Sequence, residues 1–251
     1  MSDLKKNNVF DKLKAFTDAR IFIGREGNSI PTNELLKFQC AHAAAKDAVY
    51  AELSNEHLVN AVKNELGIDC LELHSCANNR EEYLKKPGLG RQLNSDSIKK
   101  ITAFEPKGYT SAIVLADGLS AHAIKEHAIP FLKLFLSQIK TAEWQIAPIC
   151  IVNQARVAVG DEVGSLLKAE IVIVCIGERP GLSSPDSMGI YFTYHPLPGL
   201  TDESRNCISN IRTRGLSYES AANKLYYLLQ KAFQLKLSGT QLKDDFKTYL
   251  R

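Results

Sequence analysis

The chain lacks any apolar run approaching the ~18 residues that a membrane-crossing helix needs. Its amino terminus, MSDLKKNNVF, is polar, so neither a spanning helix nor a secretory signal is read from it, and an intracellular location is expected. Charge of one sign is also scarce: 31 Lys and Arg against 28 Asp and Glu leave a formal +3, which gives no electrostatic case for nucleic acid or an anionic membrane. Six cysteines, at positions 40, 70, 76, 150, 175 and 207, include no Cys-x-x-Cys pair, so reduced thiols are expected in place of a disulfide framework or structural zinc.

Other fingerprints are missing where they would matter. The loop ADGLSA, at the first strand-to-helix turn of the second half, does not carry the G-x-G-x-x-G of a dinucleotide fold. His122 and His127 are five apart, off the i, i+4 spacing of H-E-x-x-H, and His42, His57, His74 and His195 have no second ligand at a recognisable interval. Ser183-Ser184 lacks the nucleophile elbow G-x-S-x-G. No internal repeat or low-complexity segment occurs, and no catalytic residue or metal ligand is assigned to this chain.

What is present is a globular composition, 45% hydrophobic and 24% charged over 251 residues. The organising stretch is Glu170 to Leu182, EIVIVCIGERPGL. Its unbroken apolar run is short and β-branched, as a strand covered on both faces requires, and is expected in the middle of a parallel sheet. Strands are predicted from Ala112 to Leu115, Gln145 to Val152 and Tyr191 to Pro196. Helices are predicted after Ser120, near Asp161 and from Ser217 to Leu237. Strands alternating with helices point to an α/β fold with crossover connections.

Before residue 108 helices dominate. One is expected to start near Thr32, with Leu35, Leu36, Phe38, Ala41, Ala45, Ala48 and Val49 on an apolar stripe read as core. A second, REEYLKK, must stop at Pro87-Gly88, and a third is expected with Ser95 or Asp96 as its cap. Val9, Phe10, Leu13 and Phe16 mark a short amphipathic helix at the start, and GIDCLEL reads as a strand. The division expected is 1–107, mainly helical, and 108–251, α/β. Arg20, Arg25 and Arg91 stand out as candidate contacts to something planar or anionic.

Three loops are rich in glycine, proline, carboxylate and arginine: residues 156–164, 177–189 and 201–212. Backbone groups and a carboxylate such as Glu178 suit a large, neutral, amide-bearing ligand. A purely structural alternative ties Glu178 and Arg179 into salt bridges with Asp186 or Arg205. Asp117 is open between accepting a ligand hydrogen bond and capping the helix that follows it.

The segments ARIFIGREG, FQCAHAAAKDAV, YLKKPGLGRQL, ADGLSAHAI, RVAVGDEVG, GERPGLSSPDSMGIYFTY and RNCISNIRTRGLSYESAA resemble the small (light) subunits of ethanolamine ammonia-lyases, from about residue 19 to about residue 235. The resemblance implies a lyase that converts ethanolamine into acetaldehyde and ammonia with adenosylcobalamin, in a hetero-oligomer with a large, barrel-shaped catalytic subunit. The small subunit would have no activity alone. It would consist of a helical amino-terminal region and a Rossmann-like carboxyl-terminal domain with a mostly parallel sheet, covering the cobalamin at the subunit interface. Cofactor contacts carried over by motif are Val157, Glu178 and Cys207. The absence of D-x-H-x-x-G fits a cobalamin that keeps its own base. About 18 residues precede ARIFIG, so the cytoplasm is the expected location, with the interior of a bacterial microcompartment as the alternative. Other readings are a free-standing α/β enzyme on a nucleotide or small acid, and a purely structural partner subunit.

Overall fold

The computed structural model describes residues 12–104, 108–140 and 144–246. Six strands form one sheet: β1 (Cys70–His74), β2 (Ser111–Ala116), β3 (Ile149–Asn153), β4 (Ile171–Gly177), β5 (Met188–Tyr194) and β6 (Asn206–Ile211), in the order β1-β3-β2-β4-β5-β6. The helices that frame it are α1 (Thr32–Tyr50), α2 (Asn55–Ala61), α3 (Arg80–Lys85), α4 (Ser95–Thr102), α5 (Ala121–Ile139), α6 (Val159–Leu166) and α7 (Tyr218–Leu235).

β4 is buried along its whole length, as its unbroken apolar run requires, but the sheet around it is mixed and not simply parallel. β1, β3, β2 and β4 run parallel to one another, whereas β5 pairs antiparallel with both β4 and β6. The reason lies in the connections. Helices α5 and α6 each carry the chain back for a parallel return, while residues 178–187 contain no helix and are too short for a crossover. β1, from the amino-terminal region, lies at the edge of this same sheet.

Alternating side chains divide the core between the two faces. Ile113, Leu115, Ile149, Ile151, Ile173 and Cys175 meet α2, α5 and α7. Ala112, Val114, Cys150, Val152, Val172 and Val174 meet Ile101 of α4 and Val159 and Val163 of α6. The connection after β2 therefore leaves on one face and the connection after β3 on the other.

Several boundaries differ from expectation. Asn94, not Ser95 or Asp96, caps α4, accepting from Ser97 N. α6 starts at Val159, before Asp161; β3 starts at Ile149, where pairing becomes continuous; and β5 starts at Met188, three residues before Tyr191. α1 begins at Thr32 as read, yet it is not a core helix. Among its residues only Ala48 is buried, and Leu35, Leu36 and Phe38 are open to solvent. Val9 and Phe10 lie outside the described residues, while Leu13 and Phe16 are exposed at a short 3-10 turn, Lys14–Phe16. No described helix is long and apolar enough to cross a membrane.

Candidate functional site

In an α/β sheet the ordinary ligand crevice opens where adjacent strands send their connections to opposite faces. Here that position is the carboxyl end of β2 and β3, and protein fills it. Asp117, fully buried, accepts hydrogen bonds from Gln154 N at 2.9 Å and Ala155 N at 3.0 Å. Arg80 of α3 enters from the side, with Nη1 at 3.3 Å from Asp117 Oδ2, at 2.8 Å from Gly118 O and at 3.3 Å from Gln154 Oε1. Burial raises the Asp117 pKa, opposed by the Ala155 N–H and the Arg80 guanidinium. Asp117 therefore neither faces a ligand nor caps α5; the cap is Ser120, which accepts from Ala123 N.

The space a ligand could use is displaced toward β4. A cavity of about 410 Å³ opens there, with Arg156 and Val157 after β3, Glu178 and Arg179 after β4, and the rings of Tyr83 and Tyr191 in its lining. Its floor depends on close backbone approach: Gly177 O accepts from Leu119 N at 2.9 Å, and a methyl group on Gly177 would collide with the Ser120 and Asp117 carbonyl oxygens. The Tyr83 ring is stacked against two cations, Arg156 at 4.4 Å and Arg80 at 4.9 Å, while its hydroxyl donates to Ala155 O at 3.0 Å.

Glu178 is held on one side and open on the other. Its Oε2 accepts from Ser187 Oγ and from Asn210 N at 3.2 Å; Oε1 accepts no hydrogen bond among the described residues. Neither Glu178 nor Arg179 forms the salt bridges of the structural alternative. Arg205 is buried against Asp161, and Arg179 has no ion pair among the described residues.

Val157 and Glu178, from the successive loops after β3 and β4, thus line one cavity. Cys207 does not line it. It lies on β6 itself, paired across the ladder with Tyr191, which does line the opening. Burial raises the Cys207 pKa, against which the Tyr191 hydroxyl favours the thiolate. Tyr83 and Tyr191 are both kept in the neutral form by burial. With two tyrosines held neutral, a half-satisfied carboxylate and two arginines, the lining is equipped to bind and orient, and it pairs no nucleophile with a base. Sequence reading did not single out Tyr83, Arg156, Tyr191, Ser187 or Asn210; three of these lie inside the loops it selected, and the tyrosines are ordinary core residues by pattern.

The remaining candidates lie elsewhere. Arg20 stacks 5.8 Å from the Phe38 ring and reaches Leu182 O at 3.4 Å, and nearby Asp18 pairs with Arg212 and Arg214, so this segment leans on the loop after β4 and the turn after β6. Arg25 has no partner among the described residues. Arg91 lines a larger hollow of about 720 Å³ with Asp161 and Glu162. In that hollow Glu162 accepts from Leu93 N and Asp161 pairs with Arg205, and none of Val157, Glu178 and Cys207 lines it. All six cysteines are free thiols. Ser183 and Ser184 belong to a tight turn in which Gly181 and Ser184 exchange backbone hydrogen bonds. His127, by contrast, is buried beside Asp186 and Glu126.

Compared with known proteins, residues 7–243 match the family model described as ethanolamine ammonia-lyase light chain (EutC). The chain is 50% identical over 246 residues to the ethanolamine ammonia-lyase small subunit of Pseudomonas putida (strain GB-1), covering 97% of this chain and 90% of that one. It is 49% identical to the small subunit of Pseudomonas fluorescens (strain SBW25), covering 95% and 87%, and 47% identical to that of Pseudomonas syringae pv. tomato, covering 98% and 89%. A match of this extent, running through the sheet, both helical layers and all three rim loops, means that the chain belongs to the ethanolamine ammonia-lyase light chain family.

Proposed function

We propose that this protein is the cobalamin-covering subunit of an ethanolamine ammonia-lyase, working with a large catalytic subunit and having no activity of its own. Val157, Glu178 and Cys207 are the residues assigned to the cofactor, the last by shaping the wall through Tyr191. The observation that carries the reading is the meeting of Val157 and Glu178 in one cavity, with the Glu178 Oε1 acceptor left free. A corrin is fringed with amide groups, and a fixed carboxylate oxygen is the acceptor such groups require. The Rossmann-like description of residues 108–251, with residues 1–107 as a separate region, belongs to the same proposal.

When bound, adenosylcobalamin would supply the radical chemistry, and this chain's own residues would hold and enclose it. Glu178, braced by Ser187 and Asn210, orients amide N–H groups. Val157 offers apolar contact and backbone, while Tyr83 and Tyr191 keep the wall dry. The exposed apolar residues of α1 are what a subunit with a permanent partner presents to it. Cytoplasm, or a bacterial microcompartment, is the proposed location.

Reconstitution tests the reading. Mixing the chain with the matching large subunit, ethanolamine and adenosylcobalamin should give acetaldehyde, and neither subunit alone should do so. Equal activity of the large subunit without this chain would sink the proposal, as would turnover by this chain alone.

A further inference from the structure

We infer that His127, Asp186 and Glu126 form a site for a divalent transition-metal ion where α5, the β4–β5 loop and the start of α7 meet. One ligand atom from each lies within 4.8 Å of the others. His127 is fully buried, yet its Nε2 has no hydrogen-bond partner; it points toward Asp186 Oδ2 at 3.5 Å, within ion-pair reach but outside hydrogen-bond geometry. A buried imidazole nitrogen left unpartnered beside two carboxylates is the arrangement that a shared cation resolves.

The surroundings are those of a built ligand set. His127 Nδ1 is 2.8 Å from the Tyr218 hydroxyl, so a proton on Nδ1 donated to Tyr218 leaves the Nε2 lone pair free for a metal. Asp186 is flanked by two anchored residues: Ser120 Oγ donates to Pro185 O at 2.8 Å, and Ser187 is fastened to Glu178. Glu126, the residue before His127 on α5, reaches the group from the helix's exposed side, where His122 Nε2 lies 3.2 Å from its Oε2. One imidazole with two carboxylates suits zinc, cobalt, manganese or iron better than the all-oxygen shells of magnesium or calcium, and water would complete the coordination. A bound ion would tie the loop bearing Glu178 to α5 and α7. This inference does not depend on what occupies the cavity above.

The test uses the purified full chain, with Co2+ followed by absorbance and Zn2+ by calorimetry and thermal unfolding. One equivalent of Co2+ should bind with visible d–d bands and no thiolate charge-transfer band in the near ultraviolet, and Zn2+ should raise the unfolding midpoint. Asp186→Asn should weaken binding at least about tenfold, and Tyr218→Phe, which touches no ion, should weaken it about 10–100-fold by freeing the imidazole. If Asp186→Asn fails to fold, Glu126→Gln on the exposed side of α5 carries the same expectation. No saturable binding, a thiolate band, or undiminished affinity in the folded variants would each overturn the site.

Discussion

Arg80 Nη1 sits 3.3 Å from Asp117 Oδ2 with both side chains almost wholly out of water, and this one contact closes the crevice that the sheet topology would otherwise leave for a ligand. Arg80 also donates through Nε to Val49 O at 2.7 Å, so the same guanidinium ties α1 to the sheet rim. Arg80→Met leaves the Asp117 carboxylate buried without its cation. A loss of about 3–5 kcal/mol is expected, read as a lower urea midpoint at unchanged slope.

Glu178 should matter to cofactor binding and not to folding. In the reconstituted complex, Glu178→Ala is expected to weaken cobalamin binding by about 1–3 kcal/mol, because corrin amides lose their acceptor. Equilibrium dialysis gives the affinity and gel filtration the assembly; normal assembly with unchanged affinity would favour the purely structural reading. Gly189→Ala should act in the same direction, since its methyl group would lie 2.9 Å from Glu178 Oε1.

The pair formed by Arg205 and Asp161 sets a pH dependence. Burial raises the Asp161 pKa to about 6, with Arg205 opposing the rise. A carboxyl group raised on folding favours the folded state below its unfolded value, and that contribution is lost as pH rises through about 6. Removing the opposing cation with Arg205→Met lifts Asp161 further. The variant should therefore lose about 3–5 kcal/mol at pH 8, and the deficit should shrink at pH 5, where Asp161 takes up a proton. Urea melts at the two pH values decide it; a deficit that grows on acidification would reverse the assigned sign.

Thiol labelling distinguishes the cysteines. Cys150 and Cys175 are fully buried, and burial pushes their pKa up to about 12, so they should react only on unfolding. Cys40 and Cys207, both reached by solvent, should label in the native chain, Cys207 more slowly because its partial burial raises its pKa. Binding of cobalamin and the large subunit should slow Cys207, as mass spectrometry of labelled peptides would show.

The open face of α1 should separate stability from association. Leu36 is 55% exposed and Phe38 41% exposed. Replacing both with serine should change the stability of the isolated chain by no more than about 0.5 kcal/mol each. Co-purification with the large subunit should fall, if that face meets the partner; undiminished co-purification would remove α1 from the interface.

Local chemistry made much of this protein legible from its residues alone. β4 could be read as a doubly covered strand because seven apolar or small residues in succession leave no polar face. α5 and α7 followed from apolar residues at helical spacing, while their caps, Ser120 and Ser217, emerged only in the structure. The loops holding Val157 and Glu178 stood out because their glycines and charges exceed what solubility needs, and the family resemblance named the residues within them.

Tertiary structure decided what depends on distance. The turn to antiparallel pairing at β5 reflects where residues 178–187 can reach, which apolar pattern does not encode. The exposure of α1 was hidden because an apolar stripe reads alike whether it packs on its own core or on another chain. Asp117 looked like a ligand group or a cap until Arg80 arrived from another helix, and His127 lacked a ligand spacing because Asp186 comes from a distant loop. Residue type and short-range order fix which segments form; long-range packing fixes which side chains meet, and the candidate site exists only at that second level.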